Sequence, residues 1–113
     1  MERPVLVYTT FPSLVEAEAA GQVLVEKGLA ACVNILPGMR SIYRWQGAVE
    51  RAEEAVMIVK TRDAVKDAAA SEIRSLHSYD TPAILFLPVE GGDVDYIHWI
   101  LAESLGVGVT GRT

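Results

Sequence analysis

The sequence predicts an α+β protein: a ferredoxin-like (split βαβ) sandwich with a long β-hairpin and an additional C-terminal helix. Apolar, β-branched runs alternate with helical patterns in the order β-α-β-β-α-β-α. A long alternating segment with Gly47 near its middle indicates the hairpin. The 113 residues contain nothing that resembles a linker, so we expect one domain over residues 1–113.

The first strand is predicted over Val5–Thr10, in the run VLVYTT. Ser13 and Glu16 then form a capping-box pattern, and the helix that follows ends at Gly28. A second strand follows in LAACVNILPG, with a bend or bulge at Pro37-Gly38. The buried face of the helix is predicted from apolar residues at helical spacing, namely Val15, Ala19, Val23 and Leu24.

The hairpin is predicted with arms over Met39–Gln46 and from about Glu53 to Thr61. Side chains alternate along SIYRWQ, so Tyr43 and Trp45 lie on the same face. These rings need cover, either from the domain's own core or from another chain that pairs with the open strand edges. Half of the residues are apolar and the mean hydropathy is +0.24, more than so small a domain can bury. We therefore expect an oligomer.

The second half of the chain predicts a helix over Asp63–Leu76, a strand in AILFLP and a last helix over Val94–Leu105. Pro82 forces Thr81 into an extended conformation, so the second helix ends before it. The residues expected on buried faces are Ala64, Ala68 and Ile73 in the second helix, and Val94, Ile97, Leu101 and Leu105 in the last.

The glycine motif at the C-terminus is not predicted to bind a nucleotide. Residues 106–111, GVGVTG, match G-x-G-x-x-G, which binds dinucleotides only between a strand and a helix. Here the motif follows a helix, and only two residues come after it. We expect residues 106–113 to be a flexible tail.

Charge and composition disfavour several classes of protein. The net charge of −5 and a pI near 4.9 argue against a nucleic-acid binder, which needs a basic face. No apolar run approaches the roughly 18 residues of a membrane span, and the N-terminus lacks a signal-peptide pattern. A single cysteine, Cys32, excludes an internal disulfide and favours a cytoplasmic location. The scarcity of Asn, Gln and Cys indicates a thermostable protein.

The segment LHSYDTP places an imidazole, a phenol and a carboxylate within four positions, as His77, Tyr79 and Asp80. It is either a ligand site or a helix end with polar caps. The helix dipole at His77 favours imidazolium by roughly 0.3–1 kcal/mol, which works against metal ligation. Cys32, within the apolar run LAACVNI, is either a small buried side chain or a soft ligand for a copper-like ion.

The remaining charged residues do not assemble a catalytic set. Glu50, Glu53 and Glu54 form a cluster near the hairpin turn that we expect to be solvated. Lys60, near the end of a strand, can bind an anion, and His98 is expected at a helix surface or interface. An enzyme needs a nucleophile with a base, or two carboxylates in different environments. We therefore predict that the protein is not an enzyme.

The motifs LAACVNILPGMRSIYRWQG, EEAVMIVKT and LHSYDTPAILFLPVEGGDVDYIHWI occur in an order and with gaps that resemble the divalent-cation-tolerance (CutA) proteins. The resemblance extends from about Val5 to Leu105. It implies a ferredoxin-like fold in a tightly packed homotrimer, similar in architecture to the PII signalling proteins. It also implies a role in tolerance of copper and other divalent cations, with no required cofactor and no established enzymatic activity.

The resemblance also implies site residues. The family's cysteine in LAAC falls on Cys32, and its histidine before the tyrosine falls on His77, as metal ligands. Some members have a second histidine where this chain has Leu76, and many have proline where it has Ser78, so a multi-ligand copper site within one subunit is not expected. The clefts between subunits are expected to be lined by Tyr43, Trp45, Glu54, Lys60, His77, Tyr79 and Asp80.

Three functional hypotheses follow from the sequence. The first is a cytoplasmic homotrimer that responds to divalent metal ions and binds copper weakly through His77, with Cys32 as a second ligand. The second is a PII-like signalling or scaffold trimer that binds a small anionic ligand or a partner protein at the clefts, which Lys60 and the hairpin aromatics suggest. A trimer without any ligand site is the third and simplest reading.

Overall fold

The structure is a computed structural model that describes residues 2–106. Its four strands form one antiparallel sheet in the order β2-β3-β1-β4, which is the ferredoxin-like arrangement. The predicted fold class and element order are therefore confirmed. The elements are β1 (Pro4–Phe11), α1 (Leu14–Glu26), β2 (Cys32–Trp45), β3 (Ala48–Arg62), α2 (Lys66–Leu76), β4 (Ile84–Pro88) and α3 (Val94–Glu103).

The hairpin of β2 and β3 extends well beyond the rest of the sheet. β2 and β3 have 14 and 15 residues, whereas β1 has 8 and β4 has 5. The pairing of β2 with β3 is interrupted only between Leu36 and Met39, where Pro37-Gly38 forms an irregularity of the bulge type. What the sequence divides into a strand and a hairpin arm is thus one continuous strand.

The hairpin turn is tight. Gln46 and Gly47 both have positive φ, 51° and 84°, as a two-residue hairpin turn of type I′ requires. The return strand therefore begins at Ala48, five residues earlier than the predicted Glu53.

Helices α1 and α2 cover one face of the sheet and enclose the core. Side chains alternate along β3, so Met57 and Val59 point towards the helices and the even-numbered residues point to the other face. Helix α1 lies so close to β2 that a Cβ added at Gly21 would be 2.7 Å from Cγ2 of Val33. The largest fully buried side chains of this core are Val7, Phe11, Leu24, Met57, Val59 and Ile73.

The buried faces of the helices differ from the predicted ones. Of the residues predicted for α1 only Leu24 is buried, and Val15 is 77% exposed. Of those predicted for α2 only Ile73 is buried, and α3 buries Ile100 instead of the predicted set. The helices approach the sheet through small residues, which hydrophobic periodicity underweights because their side chains carry little apolar area. The small residues buried in α1 and α2 are Ala17, Ala20, Gly21 and Ala69.

The start of α1 is capped by half of the predicted capping box. The hydroxyl of Ser13 accepts the backbone N–H of Glu16 at 3.2 Å. The carboxylate of Glu16 does not accept the backbone N–H of Ser13, which would be the other half of the capping box. It accepts hydrogen bonds from the N–H and the hydroxyl of Ser78, at 3.1 and 2.9 Å. Glu16 therefore joins the loop after α2 to the first turn of α1.

Within residues 2–106, the second face of the sheet is covered only at one end, by α3. There the ammonium of Lys60 donates to the hydroxyl of Tyr96, and the guanidinium of Arg62 donates to the carbonyl of Leu101, both at 2.8 Å. The remainder carries large exposed apolar side chains, a surface that marks an interaction site. They include Leu36, Leu85 and Leu87.

The chain beyond α3 is joined to the loop after α1, because the N–H of Gly106 donates to the carbonyl of Gly28 at 2.8 Å. The rest of the predicted flexible tail, with most of the glycine motif, lies outside the described residues. Within residues 2–106, none of the helices is long and apolar enough to cross a membrane.

Candidate functional site

A pocket of about 480 Å³ lies between the β2–β3 hairpin and the loop that joins α2 to β4. We call it the hairpin pocket. Five of the predicted cleft residues line it within one chain: Tyr43, Trp45, Glu54, Tyr79 and Asp80. The other lining residues are Thr10, Glu50, Thr81 and Ala83.

The register of the hairpin explains why the aromatic and acidic side chains share the pocket. Tyr43 pairs with Glu50, and Trp45 pairs with Ala48. Residues paired across two strands project to the same side, so the rings of β2 and the carboxylates of β3 face one way. The alternation predicted for SIYRWQ therefore agrees with the strand register.

Glu54 lies at the centre of the pocket's hydrogen bonds. Its Oε2 accepts from the hydroxyl of Tyr79 at 2.9 Å and from that of Thr10 at 3.4 Å, and its Oε1 accepts from the hydroxyl of Ser41 at 2.7 Å. A carboxylate accepts hydrogen bonds at both oxygens, so hydroxyl donors from three different segments can converge on it. These bonds fix the hairpin against β1 and against the loop after α2.

Tyr79 is the residue of the pocket whose ionisation is most perturbed. Burial raises the pKa of the Tyr79 phenol to about 12, and the hydrogen bond to Glu54 acts in the same direction. Both effects disfavour a second negative charge next to the carboxylate. Tyr79 therefore stays protonated and donates to Glu54 throughout the neutral pH range.

His77 does not face the pocket. Its side chain is fully buried and stacks on Phe11, with ring centroids 4.4 Å apart. Nε2 lies 2.6 Å from the carbonyl of Thr10, and Nδ1 accepts the N–H of Tyr79 at 3.1 Å. The carbonyl can only accept, so the proton is assigned to Nε2. Both ring nitrogens are thus engaged, and a metal ion at either one would have to displace a hydrogen bond.

Lys60 and Cys32 lie apart from the hairpin pocket. They are paired residues of β3 and β2 on the second face of the sheet. The hydrogen bond to the hydroxyl of Tyr96 raises the pKa of Lys60, with smaller contributions from the neighbouring Cys32. The ammonium also lies 5.2 Å from the centre of the Tyr96 ring, within the range of a cation–π contact. Lys60 is therefore bound to α3 and does not line the pocket with the other predicted cleft residues.

The two predicted metal ligands are not neighbours in the structure. Cys32 pairs with Lys60, whereas His77 bonds to Thr10, whose strand partner is Val56. The separation along β3 from residue 56 to residue 60 is about 13 Å, at about 3.3 Å per residue. Among residues 2–106, no three His, Cys, Asp or Glu side chains are grouped so that they could hold a metal ion.

The sequence matches a known protein family over most of its length. Residues 5–103 match the family described as CutA1 divalent ion tolerance protein. The chain belongs to this family. The family resemblance predicted from the sequence is therefore confirmed.

Two relatives show how far CutA similarity extends. The divalent-cation tolerance protein CutA of Archaeoglobus fulgidus is 46% identical over 94 residues, which make up 83% of this chain and 91% of the relative. The chloroplastic CutA 1 protein of rice is 40% identical over 97 residues, 85% of this chain. This chain spans only 54% of the rice protein's length.

A solved CutA structure supports the same fold. The structure of CutA from Archaeoglobus fulgidus, described as a periplasmic divalent cation tolerance protein, has a TM-score of 0.83 and 44% identity. The match covers 86% of this chain and 94% of that one. Since CutA relatives are described as chloroplastic or periplasmic, the cytoplasmic location of this chain stays a prediction. The CutA1 family is named for ion tolerance and not for a reaction, and the absence of enzymatic activity likewise stays a prediction.

Part of the hairpin pocket of this CutA1 chain was not predicted from the sequence alone. Glu50 was expected to belong to a solvated charge cluster, yet it lines the pocket beside Tyr43. The signal was available, because Glu50 lies as far from the turn on one arm as Tyr43 does on the other. Thr10 and Ser41 had no signal of their own, since their role depends on where the carboxylate of Glu54 lies.

Proposed function

We propose that this chain forms a cytoplasmic homotrimer that acts in tolerance of divalent cations and binds copper or a related ion weakly. The observation that carries the proposal is the match to the CutA1 divalent ion tolerance family over residues 5–103. The free thiol of Cys32 is consistent with the cytoplasm, where cysteines stay reduced.

Two features of the single chain support assembly with further copies. The second face of the sheet leaves large apolar side chains exposed, among them Leu85 and Leu87. β2 is an edge strand of 14 residues, and the outer backbone groups of an edge strand can pair with another chain. Cyclic symmetry would bury both features in every subunit equally.

We expect metal binding to be weak because the two candidate ligands, Cys32 and His77, lie apart from each other. Tight protein sites for ions such as zinc take three or four protein ligands, whereas Cys32 and His77 are separate. The thiol of Cys32 is partly exposed, and cysteine sulfur is a ligand for soft ions. His77 can ligate only after it loses a hydrogen bond. Cys32 is therefore the more accessible donor.

Metal binding is tested by calorimetric titration of Zn²⁺ and Cu²⁺ into the wild type, Cys32→Ser and His77→Ala. We expect weak binding that is reduced most by Cys32→Ser. His98→Ala serves as the control, because it removes the other histidine of the chain, which is exposed on α3. Absence of binding in the wild type, or identical binding in all variants, would contradict the proposed metal role.

Assembly is tested separately by light scattering. The mass should be close to three chains, and Leu85→Glu should reduce it, because the substitution puts a charge on the apolar second face. A wild type that runs as a monomer would contradict the trimer. An unchanged mass in Leu85→Glu would show that the face is not the interface.

The PII-like alternative, an anionic ligand or partner protein in the cleft, stays a prediction. Of its two supports in the sequence, the hairpin aromatics line the pocket, whereas Lys60 binds Tyr96 instead. The lining of the hairpin pocket includes neither lysine nor arginine. An anion would therefore need basic groups that are not among the described lining residues.

A further inference from the structure

The hairpin pocket is acidic. Three carboxylate side chains line it, from Glu50 and Glu54 on the hairpin and from Asp80 on the loop after α2. No lysine or arginine is among the lining residues, and in residues 2–106 none of these three carboxylates makes an ion pair. The lining residues therefore carry a negative formal charge, which favours a positively charged ligand.

The arginines of the hairpin do not neutralise this charge, because they lie on its other face. Arg40 pairs with Glu53, and Arg51 pairs with Ile42. These positions alternate with those that face the pocket. Arg44 projects to the same side as Arg40 for the same reason. The hairpin thus has one basic face and one face that is acidic and aromatic.

The acidic side chains do not form a site for a small metal ion. No group of three metal-ligating side chains is present in the described part of the chain. The carboxylate of Glu54 already accepts three hydroxyl groups. Hard divalent ions need about six convergent oxygen ligands, or several waters in their place. The three carboxylates are spread over the pocket. A ligand with several positive charges along its length can contact more of them than a single metal ion can.

The aromatic walls favour a cation that carries apolar groups. Trp45 is 50% exposed, and Tyr43 beside it is 40% exposed. The face of such a ring attracts an ammonium group by about 0.5–1 kcal/mol at an exposed site. The ring face also packs against methylene groups of a ligand. A hydrated metal ion has no such groups.

We propose that the hairpin pocket binds a linear polyamine, that is, an alkyl chain with two or more ammonium groups. The ammonium groups would meet Glu50 and Asp80, with the charge of Glu54 nearby, and the methylene groups between them would lie on the rings of Tyr43 and Trp45. The pocket volume of about 480 Å³ is within the range of ordinary small-molecule sites. This site goes beyond the proposed role in metal tolerance and does not depend on metal binding.

The first test is calorimetric titration of spermidine into the wild-type oligomer, in buffer with a chelator and low salt. We expect saturable binding with one spermidine per chain, weaker binding of putrescine, and weakening with added salt, because screening reduces attraction between charges. 1,4-Butanediol, which has hydroxyl groups where putrescine has ammonium groups, should not bind. Absence of saturable spermidine binding, or equal binding of the diol and putrescine, overturns the proposal.

The second test separates the pocket from the general negative charge of the chain. Glu50→Gln and Glu53→Gln remove the same charge from neighbouring positions on opposite faces of the hairpin. We expect Glu50→Gln to weaken spermidine binding about three- to tenfold, and Glu53→Gln to weaken it less than about twofold. Equal effects would mean unspecific attraction to an acidic protein and would overturn the site.

The third test uses the two tryptophans. Trp45 lies in the pocket and Trp99 on α3, with 50% and 42% exposure. Trp45→Leu should weaken spermidine binding about two- to fivefold, and Trp99→Leu should not. In Trp99→Phe, spermidine should change the emission of the remaining Trp45. An unchanged emission would exclude binding in the pocket, whatever the metal titrations of the same protein show.

Discussion

The hydroxyl of Tyr79 donates a 2.9 Å hydrogen bond to Oε2 of Glu54 and thereby joins the loop after α2 to the return strand of the hairpin. The same carboxylate accepts the hydroxyls of Ser41, on the other arm, and Thr10, on the central strand β1. A hydrogen bond to a charged group contributes more than one between neutral groups. Glu54 is thus the point at which the projecting hairpin is fixed to the rest of the domain.

Tyr79→Phe should destabilise the protein by about 1–3 kcal/mol, because it removes a partly buried hydrogen bond to a carboxylate and leaves little else changed. Tyr43→Phe is the matched control, since the Tyr43 hydroxyl is not among the three that bond to Glu54. Urea denaturation at neutral pH measures both. A Tyr43→Phe variant as unstable as Tyr79→Phe would show that the bond to Glu54 is not the cause.

The same phenol makes stability depend on alkaline pH. The pKa of Tyr79 is raised to about 12, first by burial and then by the hydrogen bond to Glu54, whereas a tyrosine of an unfolded chain titrates near 10. The protonated phenol is therefore favoured in the folded state. Its contribution is complete below about pH 10 and is lost as the pH rises from about 10 through about 12.

The alkaline effect is measured as the difference in unfolding free energy between wild type and Tyr79→Phe, from pH 9 upwards in steps. The difference should shrink above about pH 10, because the phenol no longer contributes to the wild type. Ultraviolet absorbance should show a phenolate that forms only well above pH 10 and is missing in Tyr79→Phe. A constant difference up to the alkaline limit would contradict the raised pKa.

His77 is predicted to be a structural residue whether or not it also binds metal. Its buried ring stacks on Phe11 and bonds at both nitrogens, so His77→Ala leaves a cavity and an unpaired carbonyl at Thr10. We expect a loss of about 2–4 kcal/mol in metal-free buffer. His98→Ala, at the exposed histidine of α3, should cost less than about 0.5 kcal/mol. Equal thermal stability of the two variants would contradict this role.

Much of the fold was predictable because it depends on local patterns. The strands follow from apolar, β-branched runs, and the end of α2 follows from the effect of Pro82 on the residue before it. The helix faces were not predictable in the same way. Val15 is apolar and correctly spaced, yet it is exposed, because α1 approaches the sheet through alanine and glycine.

The site was predictable where it depends on strand alternation and not where it depends on distant segments. Tyr43 and Trp45 share a face by the geometry of a strand alone. That Lys60 binds α3 depends on how the last helix packs, to which no local pattern points. That Nε2 of His77 is engaged depends on the position of β1, where Thr10 lies 67 residues earlier in the chain.

The close approach of α1 to β2 predicts that Gly21→Ala is destabilising. In most helices this change adds about 1 kcal/mol of stability, but here the new Cβ would lie 2.7 Å from Cγ2 of Val33. Overpacking of this kind costs about 1–3 kcal/mol, so we expect a net loss by thermal denaturation. Val33→Ala removes the clashing methyl, and in that background Gly21→Ala should become neutral or stabilising.

Gly91→Ala, with nothing within 4 Å of its added Cβ, is the control and should change stability by less than about 0.5 kcal/mol. A loss from Gly21→Ala that persists beside Val33→Ala would locate the clash elsewhere, at the sulfur of Met57.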